Sequence, residues 1–347
     1  MSGSAVRIVD PLEVPNWDKQ VLRLPGCTFF YSSAWARVLV ESYGYKPLYF
    51  TIFDGEALSA CLPVMEVDSF LTGRRGVSLP FTDYCEPIVS TPGQFHELFE
   101  KAAEYGKRRG WKSLELRGAN EYLHDSPPSS TYLTHTLALT ASEAPVFSSF
   151  RESNRRNIRK AVASCLNVQI AASKEAIRQF YRLNQITRRE HGLPPQPLRF
   201  FEKVHEHVIW KGLGFVALAH RENAAVAASV YFHFGGAAIY KYGASNKRYQ
   251  HLRPNNLVMW EAIRRCIQTG CTSLSLGRTD VDGDGLRQFK AGWGAKEQPI
   301  NYYKQDIKTR EFLSDSRRTN GVTSKVAACL PLPILRAAGI LLYRHMA

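Results

Sequence analysis

Basic and phenolic side chains recur in the second half of this 347-residue chain at spacings that suit anion binding and proton transfer. Arg155, Arg156, Arg159 and Lys160 fall in one run, and the pairs 155/159 and 156/160 share a helix face. Such pairs fit a pyrophosphate or a nucleic-acid backbone, or simply a solvated charged face. Lys247, Arg248 and Arg253 punctuate Asn246–Asn255 and offer a second set of phosphate ligands. Tyr240 and Tyr242 alternate in Tyr240-Lys-Tyr-Gly-Ala-Ser245, which in a regular strand puts both phenols on one face. Either could orient a substrate or protonate a leaving group; two core tyrosines are the plainer alternative. Arg278 and Asp280 end a short apolar stretch, and Asp280 fits a general base or, more simply, a cap on the following helix. Asp83 fits amine recognition, proton acceptance or an ordinary turn aspartate. Lys290 stands in Phe289-Lys-Ala-Gly-Trp293, among aromatics and glycines, where its ammonium could hold a carboxylate, a phosphate or a developing oxyanion.

Those side chains need a frame, and the frame repeats. Gly110-Trp-Lys-Ser-Leu-Glu-Leu-Arg117 and Gly270-Cys-Thr-Ser-Leu-Ser-Leu-Gly277 resemble each other. Each follows a basic, helix-like segment, Phe95–Arg109 or Leu257–Thr269, ending at the glycine a helix C-terminus favours. Each then alternates apolar and polar residues over a short strand. Upstream, Tyr49–Phe53, Asp54–Glu56 and Ala57–Val67 read as strand, turn and strand, as do Phe215–Ala219, His220–Asn223 and Ala224–Phe234. The shared order predicts two related α/β (α+β) domains, each a mixed central sheet flanked by helices. Their expected limits are 1–145 and 146–310, with a tail over 311–347. Beyond Ala144-Pro145, the run Phe147–Ala163 predicts one basic helix with Phe150, Ile158 and Val162 near one face. Helices over Lys174–His191 and Pro197–Lys211 follow.

Composition narrows the function classes. Hydrophobic residues make up 44% of the chain, enough for two cores and too much for wholesale disorder. Through Glu143 there are 13 Lys and Arg against 17 Asp and Glu; the remainder carries 32 against 14, a net +18. A half so basic attracts polyanions such as tRNA, a nucleotide pyrophosphate or an anionic membrane. Seven scattered cysteines without a CxxC pair fit reduced packing thiols, and the start Met1–Arg7 has no apolar run before a cleavage site. Both point to a cytoplasmic protein. The ten histidines form no HExxH motif, and Asp280-Val-Asp-Gly-Asp284 lacks the glutamate that closes a calcium loop, so no catalytic metal is expected.

Taken in order, five motifs make the second half resemble the FemABX-like acyltransferases, closest to the branch described as a BioF2-like or CelD-like acetyltransferase domain. They are Asn154-Arg-Arg-Asn-Ile-Arg-Lys-Ala161, Tyr240–Ser245, Arg253-Pro-Asn-Asn-Leu257, Leu276-Gly-Arg-Thr-Asp280 and Gly285-Leu-Arg-Gln-Phe-Lys-Ala-Gly-Trp-Gly294. Phe30–Trp35 and Ser78–Tyr84 extend the likeness to roughly residues 25–307. The resemblance implies two tandem GNAT-like domains (acyl-CoA N-acyltransferase-like) and transfer of an acyl or aminoacyl group to an amine. The co-substrate would be acyl-CoA or aminoacyl-tRNA, with no tightly bound cofactor. The acceptor would be an amine-bearing small molecule or lipid-linked precursor of the cell envelope or a polysaccharide; peptidoglycan cross-bridge synthesis is the best-known activity. It places Lys290 near the reacting groups and Trp35 and Arg37 near a position that often carries a base for the acceptor's phosphates. It also implies a splay between two central strands, one edge at Tyr240–Ser245 and the other at Ser273–Gly277, whose backbone N–H groups face the oxyanion. One departure stands out: Asn246–Asn255, where GNAT enzymes cradle pyrophosphate in a glycine-rich loop, has no glycine. The competing reading is a catalytically degenerate pair that binds RNA or an anionic membrane through the basic half.

The segment Val326–Met346 is apolar, yet two prolines and Arg336 interrupt it, short of the ~20 apolar residues of a membrane span. A helix packed on the protein, or one lying at the inner membrane surface with Arg336, Arg344 and His345 outward, is expected.

Overall fold

A computed structural model describes residues 5–314 and 330–346. The upstream part of the apolar tail segment, Val326–Cys329, lies outside the described residues. Two compact units emerge. The first takes the chain up to Leu133, the stretch from Pro299 to residue 314, and the end of the chain from Leu342; the second takes Thr134–Gln298 and the described residues up to Leu341. The chain therefore changes unit inside two strands, β6 (Ser130–Ala138) and β12 (Lys296–Asp306).

In the first unit, β1 (Arg7–Val9), β2 (Lys46–Asp54), β3 (Ala57–Val67) and β4 (Arg75–Val77) pair antiparallel in sequence order. β5 (Ser113–Arg117) then runs parallel to β4, and β12 returns antiparallel against β5. Helix α3 (Pro92–Arg109) connects the parallel pair. Thr91 caps its N-terminus by accepting the Gln94 N–H, and Gly110 ends it in the left-handed region. Phe95, Leu98, Phe99 and Ala102 face the sheet, where Phe50, Leu114 and Leu116 join Tyr303 and Ile307 from the far end of the chain. Each of the Leu, Ile and Phe side chains contributes about 1.5–3 kcal/mol when fully buried. Ahead of this core lie α1 (Trp17–Val21) and α2 (Ser33–Tyr43).

The second unit repeats the plan. A hairpin of β8 (Gly214–Arg221) and β9 (Ala224–Phe234) leads to β10 (Ala237–Ser245), then helix α8 (Pro254–Gln268) and the parallel strand β11 (Ser273–Asp280). Gly270 ends α8's segment as Gly110 ends α3. β7 (Asn167–Ala171) edges the sheet beyond β8, and β6 lies beside β11. Before β7, the single helix expected over Phe147–Ala163 is two: α4 (Glu143–Ser149) and α5 (Glu152–Ala163). They break at Phe150, whose extended backbone sends its ring into the core against Trp260 and Trp293. Ile158 is buried with it, whereas Val162 is exposed, so the three do not form one face. α6 (Lys174–Glu190) and α7 (Leu198–Val204) cover β9 and β10, and a π-turn over His205–Ile209 replaces the last turns of the longer helix expected to Lys211. α9 (Asp284–Ala291) precedes β12, and α10 (Leu332–Leu342) closes the described chain.

Candidate active site

β10 and β11 pair only over Ala237–Ile239 and Ser273–Ser275. Beyond that point neither strand is the other's partner, so the sheet opens between Tyr240–Ser245 and Leu276–Asp280. Gly277 adopts a left-handed φ of 73° inside β11, a turn out of regular strand geometry that glycine makes without strain.

Lys290 is anchored on β11, the strand that borders this opening. Its side chain is 3% exposed, and Nζ donates to the Gly277 carbonyl at 2.8 Å and the Arg278 carbonyl at 3.0 Å. An ammonium so buried is held by dipoles aimed at it. α9 presents it, although Asp280 does not cap that helix: the N-cap is Gly283, whose N–H donates to the Asp280 carbonyl at 2.9 Å. Asp280 itself is exposed.

Tyr240 and Tyr242 do not share a face. Tyr240 stands opposite Tyr231 and Tyr242 opposite Val230, so Lys241 is an inserted bulge residue. Adjacent residues of β9 point to opposite sides, and so do their partners. Tyr242 packs among Phe180, Phe200 and Phe201. Tyr240 packs on Tyr231 and lines a cavity of about 330 Å³ with Thr187, His191, Gly243, Asn255, Met259 and Phe289. Burial pushes its phenol up to about 12, which keeps the proton on at neutral pH. Its hydroxyl lies where a Cβ on residue 243 would be, so only glycine fits there.

Ser245, at the end of β10, is tied to α6: Thr187 Oγ1 accepts the Ser245 N–H and donates to its carbonyl, both at 3.1 Å. Asn255 Nδ2 donates to Ser245 Oγ at 3.2 Å. The glycine-free loop winds into a 3-10 turn over Lys247–Leu252. The Arg248 N–H donates to Asn246 Oδ1, the Tyr249 N–H to the Asn246 carbonyl and the Arg253 N–H to the Gln250 carbonyl. Three backbone donors of the loop are thus engaged within it. Lys247 pairs with Glu190 at 3.5 Å.

Along α5, Glu152 pairs with Arg155 at 2.6 Å and with Arg159 at 3.3 Å, which offsets part of the basic cluster; Arg156 and Lys160 are exposed. In the first unit Trp35 is fully buried between Phe29 and Phe30, a core residue, while Arg37 on the same helix is exposed. Asp83 lies on a loop in which Leu79 and Phe81 hold positive φ of 53° and 60°, strained values for such residues. The Arg117 guanidinium donates to the Leu79 and Thr82 carbonyls, and the Asp83 carbonyl accepts the Tyr302 hydroxyl at 2.5 Å.

Several neighbours of Lys290 escape a reading of the sequence. His135, fully buried on β6, has Nε2 3.0 Å from Glu297 Oε2, and Glu297 pairs with Arg287 at 2.9 Å. Burial, and secondarily the Lys290 cation, hold the His135 imidazole below its ordinary range, so it is neutral near pH 7. Among the described residues, its Nδ1, Asn154 Nδ2 and Thr279 Oγ1 are buried polar atoms without a hydrogen-bond partner. Thr187 and His191 had one legible signal, a spacing of four that puts them on one side of a helix end. The described thiols behave chiefly as packing groups: burial pushes Cys27 up to about 12 and Cys61 and Cys85 higher. Cys271 departs from this, lowered by a hydrogen bond from Cys266 inside the core. The spacing His205-x-His207 falls on the π-turn, with His205 bonded to the Ala172 carbonyl.

Residues 148–295 match the model of the acetyltransferase (GNAT) domain family. No curated protein matches the sequence. Among solved structures, FemX superposes with a TM-score of 0.70 at 13% identity, covering 85% of this chain and 96% of FemX. A tandem GNAT protein from the clavulanic acid biosynthesis pathway gives 0.55 at 10% identity, with 87% and 98% coverage. L-PGS from Bacillus licheniformis gives 0.52 at 12%, with 94% and 97%. At such identities the likeness speaks for the fold, which is that of FemX and of tandem GNAT proteins. Residues 148–295 are thus similar to an acetyltransferase (GNAT) domain, within a chain whose fold is like that of FemX and of tandem GNAT proteins.

Proposed function

We propose that this chain is an acyltransferase that moves an aminoacyl group from aminoacyl-tRNA onto an amine of a cell-envelope or polysaccharide-related acceptor, at the opening between β10 and β11. The observation that carries the reading is the buried Lys290 ammonium fixed on the β11 carbonyls where the two strands part. A cation there stabilises the oxyanion of a tetrahedral intermediate without reorganising as charge develops. Tyr240, protonated and lining the cavity, would return a proton to the leaving oxygen in this reading. The amine attacks the ester carbonyl, the C–O bond to the ribose breaks, and the amine's proton leaves to solvent or an adjacent base.

Donor choice rests on the loop over Asn246–Asn255. Its Arg248, Tyr249 and Arg253 N–H groups are engaged internally, which disfavours a coenzyme A pyrophosphate held in a backbone cradle. Exposed Arg156, Lys160, Arg248 and Arg253 fit a phosphodiester backbone held by side-chain charge. The likeness to FemX and L-PGS supports an aminoacyl donor with an amine or lipid-linked acceptor. Acyl-CoA is the second reading, favoured by the family match and by the tandem GNAT neighbour, whose name refers to acetyl-CoA.

The test is a binding titration of the purified chain with charged tRNA and with acetyl-CoA, each at low and moderate salt. Tight tRNA binding that weakens steeply with salt, together with transfer to an amine, supports the proposal. Saturable acetyl-CoA binding that is lost in a Lys247/Arg248/Arg253 alanine variant replaces it with the second reading. Binding without transfer from either donor favours a degenerate pair.

A further inference from the structure

Phe70 is 86% exposed and Leu71 55%, at the apex of the loop between β3 and β4. This is no loose tip. Ser69 Oγ accepts the Thr72 N–H at 3.0 Å, the Ser69 carbonyl accepts the Gly73 N–H at 2.7 Å, and His345 Nδ1 lies 2.9 Å from Ser69 Oγ. Arg75 donates to the His345 carbonyl at 2.9 Å, and Tyr45 donates to the carbonyls of Tyr343 and Arg344. The His345 ring meets the edge of Phe70 at 4.5 Å between centroids. The end of the chain is thereby locked beneath the loop, and it too shows apolar side chains outward: Leu342 at 38% and Met346 at 54%. Immediately upstream, α10 exposes Ile340 at 60% and Leu341 at 67%.

Such exposure over adjacent residues marks a binding surface. The charges around it choose the partner. Residues 330–346 carry Arg336 and Arg344, both exposed, and no acid. The one acid of the loop, Asp68, is paired with Arg74 at 2.5 Å. Apolar side chains among uncompensated arginines complement an anionic headgroup layer over hydrocarbon. α10 has 11 residues, about 16 Å at 1.5 Å per residue, against a hydrocarbon core of ~30 Å, so it can lie in the interface and cannot span it.

We infer that the rigid Phe70–Leu71 loop, with the C-terminal residues locked under it, is a membrane anchor that inserts Phe70, Leu71, Leu342 and Met346 among anionic lipid headgroups. The inference does not depend on the donor.

Flotation of the full chain with vesicles of phosphatidylglycerol and phosphatidylethanolamine, and with phosphatidylcholine alone, tests it, with circular dichroism and sizing of every variant. The expected result is binding to the anionic vesicles, weakened about tenfold or more in Phe70→Ser/Leu71→Ser and, separately, in Leu342→Ser/Met346→Ser. Binding that survives both folded variants overturns the anchor, as does a wild type that floats with neither vesicle. A wild-type dimer that Phe70→Ser/Leu71→Ser converts to monomer, without vesicle binding, also overturns it and assigns the patch to a second copy. Transfer to a soluble acceptor is expected to be unchanged in both variants.

Discussion

The Tyr240 hydroxyl rests on the Cα of Gly243, three residues along its own strand, because the bulge at Lys241 returns position 243 to the face that position 240 occupies. A phenol thus occupies the space of a missing side chain. Gly243→Ala drives the ring from the cavity, and overpacking of this kind costs about 1–3 kcal/mol. Thermal melting of Gly243→Ala is expected to show that loss, and Tyr240→Phe in the same chain to recover part of it by removing the hydroxyl. If Tyr240 supplies the leaving-group proton, transfer stays low in the double variant although the fold returns.

Lys290→Met removes the donor to two carbonyls. Leaving such buried groups unsatisfied costs about 1–3 kcal/mol, and losing an oxyanion stabiliser about 10²–10³ in rate. Single-turnover transfer is expected to fall by that factor in folded protein while donor affinity stays within a few-fold. Equal losses in affinity and rate would make Lys290 a binding residue instead.

Thr187 bridges both backbone groups of Ser245 with one hydroxyl. Thr187→Val keeps the shape and deletes the bridge. Amide exchange at Ser245 is expected to speed up by about tenfold, following a loss of ~1 kcal/mol or somewhat more. An unchanged exchange rate would show that the strand end is held by other contacts.

His135 gives a pH signature. Its imidazole is held below the ordinary value of 6.5 by burial and then by Lys290, so the folded state resists a proton that the unfolded state accepts. This contribution to stability is complete above about pH 6.5 and lost as pH falls through 6.5 toward the folded value. The melting temperature is therefore expected to drop more between pH 7.5 and 5.5 in the wild type than in His135→Gln. Parallel curves would remove His135 as the titrating group.

Much of the frame was legible because it is written locally. The hairpins, the glycines that end both connecting helices and the apolar–polar alternation of β5 and β11 each follow from a few adjacent residues, and the duplication made them mutually supporting. The central strands part beside Tyr240–Ser245, one of the two edges the motifs suggest, whereas Ser273–Ser275 of the other are still paired and that edge begins only at Leu276. What escaped depends on partners distant in sequence or on one inserted residue. No local signal announces the bulge that separates Tyr240 from Tyr242. Phe150 sits in a run that reads as helix, yet the pull of Trp260 and Trp293 on its ring outweighs that propensity. The run Arg155–Lys160 reads as bare positive charge until Glu152 is found beneath two of its arginines. His135 and Glu297 are 162 positions apart and meet only in the folded sheet.

Tyr303 and Ile307 complete a core whose other members lie between Leu48 and Leu123. The half of the protein synthesised first is therefore the half that closes last. While the ribosome extends the chain through Thr134–Gln298, the first unit's sheet waits with Phe50, Leu114 and Leu116 lacking their last neighbours. The second unit, continuous from Thr134 to Gln298, can consolidate in the meantime. A chain cut off after Gln298 would keep that continuous stretch whole and carry an open apolar sheet in its first half, the state in which a chaperone is most needed.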